Sequence, residues 1–505
     1  MQETRRSSAS RALSSLVTSV VPALAVAGLF IASPAPSLAK EARGPSSAEL
    51  GEKLHARLKK LAQSPTFKPG ELGIWVGERT EKGLETYYSL NNDKLMIPAS
   101  LSKLVTLGAV LHQLGPAYKY KTHLVSDAKI EAGALGGSLY LKGGGDPSFV
   151  SENMWFLVNE LTRTGITSVE GDVIVDDSRF DGVRWGEDRQ EERVDRAYDA
   201  PVGAMSMNWN SVTVFVRPGD KVGDKLKVFA DVMSPYLKIK NETRTVAAGK
   251  GKTVAVERTS EKDFAGDVIT VTGAMALGHP EAIIYKSISQ PDMWSGYNLV
   301  EFLRQRGIAV KGKVRTGVAP KEAAVLASSE SKPLVAVVAD MAKWSNNYVA
   351  EMLVKNLSAE NGDVPGNTTA GMVHVHKYLE KAGIKTSDLV FQNASGLTRK
   401  NRMTVEQIGR FLGYVHTDFQ MFPEYLSALP IGGVDGTLRS RMKSSAAERW
   451  VRAKTGLLTG AVGLAGYAGR SNGSIVTFAF VYNGNGREDR ARQLFDQMAA
   501  AIAED

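Results

Sequence analysis

Runs with strand character lie at both ends of the chain, each set next to an amphipathic helix, and neither set can bury a sheet face without the other. Near the start, Glu71 to Glu78 and Leu84 to Leu90 have strand character and are separated by the turn residues Thr80-Glu81-Lys82-Gly83, the chemistry of a hairpin. They follow a helical stripe made by Leu50, Leu54, Leu58 and Leu61. Near the end, Trp450 to Ala453, Ala461 to Ala468 and Ser474 to Tyr482 read as strands, and Ala491, Leu494, Phe495, Met498 and Ile502 mark one buried face of a closing helix. Two strands plus three make one antiparallel sheet flanked by helices, an α+β domain built from both chain ends. The middle, roughly Tyr120 to Lys321, is then an insertion. Its Gly-punctuated runs, such as Gly137 to Lys142 and Gly171 to Val175, predict an all-β insertion with a second one nested inside it.

The first forty residues read as an address. Arg5, Arg6 and Arg11 precede an apolar stretch from Leu13 to Ile31, and Ser37-Leu38-Ala39 offers a small-residue cleavage pattern, so residues 1–39 are expected to be a removed signal peptide rather than a membrane anchor. Export and the complete absence of cysteine point to a bacterial periplasm, and they exclude thiolate nucleophiles, disulfides and iron–sulfur clusters. The net charge of +8 falls to +6 when the leader's three Arg and one Glu are removed, and no block of like charges suggests nucleic acid. The seven histidines form no metal motif: His374 and His376 stand two apart and cannot share a helix face. No cofactor or metal is expected.

The informative chemistry starts at Pro98-Ala99-Ser100-Leu101-Ser102-Lys103, where Pro98 opens a helix, Ser100 falls in its first turn and Lys103 follows one turn on. The helix dipole there favours negative charge developing at an attacked carbonyl, and a lysine at that spacing can serve as base. The spacing alone is weak, since Ser126/Lys129 and Ser329/Lys332 share it. Ser345-Asn346-Asn347 precedes an apolar helix, where Ser345 reads equally well as an ordinary N-cap. Lys454-Thr455-Gly456 stands at the end of a strand-like run, with chemistry suited to an extended peptide that ends in a carboxylate.

Together and in this order, the three motifs resemble those of the penicillin-recognising serine acyltransferases, whose members include penicillin-binding proteins and class A β-lactamases. The 245 residues from Ser100 to Ser345 make the chain look like the low-molecular-mass class C enzymes of the penicillin-binding protein 4 type. Gly143-Gly144-Gly145-Asp146-Pro147, Ala200 to Ala204, Ser395-Gly396-Leu397 and Gly432 to Leu438 extend the likeness over the mature chain. The resemblance implies a transpeptidase-like catalytic domain (40–119 and 321–505) with two inserted β-rich domains (120–187 with 291–320, and 188–290). It implies a D-alanyl-D-alanine carboxypeptidase or endopeptidase acting on peptidoglycan stem peptides and acylated by β-lactams. Peripheral membrane contact and a homodimer stay open.

Carried over, the resemblance makes Ser100 the nucleophile and Lys103 its base, kept partly neutral by burial and by Lys454. Ser345 would pass the proton to the leaving amine, Asn347 would hold the substrate amide, and Lys454 with Thr455 would grip the terminal carboxylate beside Gly456. The backbone N–H groups of Ser100 and Leu457 would form the oxyanion hole. A pocket for the diamino acid's amine would use Asp176, with Asp177 as the alternative, together with Phe180 and Arg399. Two departures bear on specificity: Asn393 stands where the family has an acid, and Thr459 where it has a glutamine. A β-lactamase or a non-catalytic wall-binding protein are the competing readings; no Glu-x-x-x-Asn pattern between the first two motifs supports the former.

Overall fold

The computed structural model describes residues 47–186 and 195–504. The expected signal peptide, residues 1–39, lies outside the described residues. Five strands form the sheet expected from the two chain ends, in the spatial order Val451–Leu458, Ala461–Gly469, Ile475–Asn483, Leu72–Thr80, Gly83–Leu90. Every neighbouring pair is antiparallel. The last strand of the chain is therefore the middle one of the sheet, paired on one side with the first.

Side chains alternate across these strands, so each face owns a separate core. Ile74, Val76, Phe478 and Phe480 pack under the terminal helices Ser47–Ala62 and Glu488–Ala503, through Leu54, Leu58, Phe495, Met498 and Ile502. Trp75, Ala479, Val481 and Tyr467 face the other way, into a helical layer. That layer is made by Ser102–Leu114, Leu334–Trp344, Asn347–Glu360, Thr368–Lys381 and Val405–His416. Among the described residues no helix is long and apolar enough to cross a membrane.

The insertion is not all-β. Its first sheet has the order Val314–Thr316, Val173–Asp176, Leu139–Lys142, Lys121–Ser126, Ala324–Glu330, and Val173–Asp176 runs parallel to both of its neighbours. Parallel neighbours need a crossover, and helix Ser151–Thr162 supplies it. Met154, Leu157, Val158 and Leu161 bury one face of that helix, but exposed Trp155 and Phe156 complete an unbroken apolar run that hides the helical period. Helix Pro291–Gln305 covers the same core through Trp294, Leu299 and Leu303. Strand pairing continues to Glu330, past Lys321, so helix Leu334–Trp344 is the first element back in the helical layer.

The nested part is β-rich. Two three-stranded sheets, Lys227–Ala230 with Ser211–Arg217 and Ala282–Ser287, and Leu237–Val246 with Asp267–Ala276 and Ala255–Ser260, all fall within 188–290. Val212, Val214 and Val216 of one and Ile269 and Val271 of the other share a buried core. The Ala247 to Thr253 stretch, which contains Gly251-Lys252-Thr253, is a loop between strands of the second sheet.

Candidate active site

Ser100 sits in a tight 3-10 turn, Ala99–Leu101, that feeds helix Ser102–Leu114 directly. The residue before it, Ala99, is fully buried with φ of +49°, a left-handed conformation costing about 1–2 kcal/mol for a residue with a Cβ. Packing holds it there. A Cβ on Gly456 would lie 2.8 Å from Pro98 O and 3.4 Å from Ala99 Cβ, and one on Gly396, at φ +71°, would lie 1.9 Å from Ala99 O. The glycines of Lys-Thr-Gly and Ser-Gly-Leu thus let the serine turn settle between a strand and a loop. Gly456 is turned toward that turn and does not line the cavity.

Lys103 is wholly buried, and its Nζ lies 3.0 Å from Ser100 Oγ, 2.7 Å from Asn347 Oδ1 and 2.6 Å from Ser395 O. The last two are carbonyl oxygens, which only accept. A neutral amine in this place gives N–H groups to those two oxygens and turns its lone pair to the serine hydroxyl. Asn347 cannot flip without loss, because its Nδ2 donates to Tyr198 O at 3.0 Å.

Ser345 closes helix Leu334–Trp344 with φ of +57°, and the next helix, Asn347–Glu360, is capped by Asn346, whose side chain accepts from Val349 N at 3.1 Å. The capping duty therefore falls on the residue between the two motif positions, which leaves the Ser345 hydroxyl for the site. Lys454, also wholly buried, donates to Ser345 Oγ at 2.8 Å and to Thr455 O at 2.7 Å. Burial first, and then the charge of Lys103, hold its ammonium well below the usual lysine range.

Lys454-Thr455-Gly456 lies inside the strand Val451–Leu458 rather than at its end. This is an edge strand. Ala453 N donates outward to Pro430 O at 2.9 Å, so the two-residue repeat turns the N–H groups of Thr455 and Leu457 to the same open edge. Thr455 Oγ1 donates to Thr437 Oγ1 at 2.9 Å, which gives the Gly432 to Leu438 stretch a bracing role.

A cavity of about 1550 Å³ opens in front of these groups. Ser100, Ser345, Asn347, Leu457 and Arg399 line it, while Lys103 and Lys454 stand behind its wall. Arg399 bonds to Thr459 O on the opposite rim. Asp176 and Phe180 are not brought to the cavity. Asp176 is 2% exposed and spends its oxygens on Ser178 N, Ser178 Oγ and Ala319 N, which ties its strand end to the chain that follows the neighbouring strand Val314–Thr316. Phe180, 4% exposed, packs in the core under the Lys355 ammonium. Asp177 is also engaged elsewhere, with Arg184 and Met205 N.

The acids that do line the cavity include Glu351 and Asp181, and Asn347, Glu351 and Lys355 form one polar stripe down a helix whose other residues are mostly apolar. That i, i+4, i+8 spacing is the sequence signal for Glu351 and Lys355. The carbonyls of Ser395 and Tyr198 carry no side-chain signal at all.

Comparison with known proteins fits this geometry. The D-Ala-D-Ala carboxypeptidase 3 (S13) family matches residues 54–504. A D-alanyl-D-alanine carboxypeptidase of Actinomadura sp. strain R39 is 31% identical over 464 residues, covering 89% of this chain and 84% of its own length. The D-alanyl-D-alanine carboxypeptidase DacB of Haemophilus influenzae is 25% identical over 396 residues, 78% of this chain and 82% of its own. The crystal structure of penicillin binding protein 4 from the same organism superposes with a TM-score of 0.74 at 23% identity, covering 87% of this chain and 98% of that one. The fold is that of the solved penicillin binding protein 4. The chain belongs to the D-Ala-D-Ala carboxypeptidase 3 (S13) family, serine-type carboxypeptidases of the hydrolase class.

Proposed function

We propose that Ser100 attacks the carbonyl between two D-alanines of a peptidoglycan stem peptide, giving an acyl-enzyme that water releases. The observation that carries this reading is the surroundings of Lys103: two carbonyl acceptors fix its N–H groups and leave its lone pair on Ser100. Ser345, bonded to Lys454, returns the proton to the leaving amine. Asn347 holds Lys103 and the substrate amide. Negative charge on the attacked oxygen is met by the N–H groups of Ser100, in the helix entrance, and Leu457, on the open edge. The substrate's terminal carboxylate meets Lys454 and Thr455, and β-lactams acylate the same hydroxyl. The H. influenzae neighbour has also been crystallised with a β-lactam bound.

The cavity exceeds the roughly 300–1,000 Å³ of an ordinary small-molecule site. That room supports cleavage of cross-linked peptides as well as terminal D-alanine, with Arg399 at the rim for the diamino acid. Residues 1–39 act as a signal peptide and the enzyme works in the periplasm.

The test is labelled-penicillin acylation of the mature chain beside Ser100→Ala. One label per chain, abolished in the variant, is the expected result; equal labelling of the variant would sink the assignment. Digestion of cross-linked and uncross-linked muropeptides then separates endopeptidase from carboxypeptidase.

A further inference from the structure

The contact that aims Lys103 is a backbone carbonyl, Ser395 O, and a carbonyl points where its loop is held. Three side chains hold this loop. Thr106, one turn beyond Lys103 on the serine helix, donates to Ala394 O at 2.9 Å. Asn401, completely buried, accepts from Gln392 N at 2.9 Å and Asn393 N at 3.2 Å, and donates to Asn393 O at 2.8 Å and Ser102 Oγ at 3.0 Å. Asn393 makes the last connection: its Oδ1 accepts from Ser395 Oγ at 2.8 Å and Leu397 N at 3.1 Å, while its Nδ2 donates to Glu351 Oε1 at 2.7 Å. Glu351 is itself buried and stands one helical turn after Asn347, the other residue that aims Lys103. The two acceptors of the base are thus braced from one helix.

The geometry points to Asn393 and Glu351 as positioning residues, a donor–acceptor pair that fixes the Ser395 carbonyl and so sets the direction in which Lys103 presents its lone pair to Ser100. This rests on the reading of Ser100 as nucleophile. The polarity of the pair matters, because Asn393 must accept from the Ser395 loop and donate to Glu351 at once, and only an amide does both without a shared proton. An aspartate there would face Glu351 as a second carboxylate. Two carboxylates so close cannot both ionise, so the bond survives only while the pair keeps one proton.

The experiment measures the rate of labelled-penicillin acylation against pH, each variant as a ratio to wild type, with thermal melts alongside. Asn393→Asp is expected to start near wild type at about pH 5.5 and fall about fivefold or more by about pH 8.5, where the pair loses its shared proton. Adding Glu351→Gln, whose amide donates to the new aspartate, restores a flat ratio within about twofold. The other charged groups around the pair, Lys103 behind the loop, Lys355 with Asp181 one turn along, and Asp199, His376, Arg399, Lys400 and Glu488 on the cavity wall, are the same in every variant and cancel in the ratio.

A flat Asn393→Asp ratio, or a loss that Glu351→Gln fails to repair, overturns the positioning role. Should Asn393→Asp not fold, Ser395→Ala decides: it deletes only the hydroxyl that Asn393 grips, and slows acylation about fivefold with unchanged non-covalent affinity if the inference holds, while a wild-type rate overturns it. Wild-type protein that takes no label overturns the reading of Ser100, and this inference with it; labelled wild type with flat ratios overturns the inference alone.

Discussion

At the scale of single residues, two lysines are wholly buried and both reach serine hydroxyls. Burial and the neighbouring charge disfavour the ammonium of Lys454, so between its lowered folded value and the usual lysine range the unfolded chain holds a proton that the folded chain lacks. Stability contributed by this group therefore rises with pH through that window, and its penalty is full below it. Lys454→Met is expected to raise the unfolding free energy by about 1–4 kcal/mol near neutral pH, with the gain shrinking as pH climbs toward the unfolded lysine value, while penicillin acylation collapses. Denaturant melts across pH check the first part, and a gain that grows with pH would contradict it. The motif lysines and serines stand out in the sequence, and the structure brings their side chains together in pairs. Ser345 was ambiguous only until Asn346 proved to be the cap. Asp176 and Phe180 were placed by likeness of letters, and the fold spends both on holding a strand end and a core together.

At the scale of elements, a strained turn is wedged between an edge strand and a loop, and two glycines make the space. Gly396→Ala puts a Cβ 1.9 Å from Ala99 O in a left-handed backbone, so the turn must shift. Expected are a loss of about 2 kcal/mol or more in stability and a drop of about tenfold or more in acylation. Gly83→Ala, also at positive φ but with nothing within 4 Å, costs about 1 kcal/mol and leaves acylation unchanged. Equal effects from the two variants would deny the wedge. Helix Ser151–Thr162 shows why part of the fold was unreadable: its exposed Trp155 and Phe156 break the contrast between faces on which periodicity depends. The central strands of the catalytic sheet read instead as continuous apolar runs, because each of their faces meets a different core.

For the whole molecule, the insertion owns a hydrophobic core distinct from the two that sandwich the catalytic sheet. A fragment spanning about residues 118–332 should accordingly fold by itself, with a cooperative thermal transition in circular dichroism and no reaction with penicillin. A fragment that melts without cooperativity would show that the insertion leans on the catalytic part for its stability. That the two chain ends meet in one sheet was legible from their strand patterns; where the insertion stops was not, because Ala324–Glu330 is a strand in either assignment and only its pairing with Lys121–Ser126 decides.

The position of Ile475–Asn483 in the middle of the catalytic sheet also dictates a timetable. A ribosome delivers the first hairpin early and the nucleophile soon after, yet the strand that must lie beside that hairpin is among the last segments to emerge. Until then the hairpin has no neighbour in the sheet, so the growing chain carries Ser100 and Lys103 without the strand that holds Lys454 or a closed sheet, and the site is whole only after the last strand has been made.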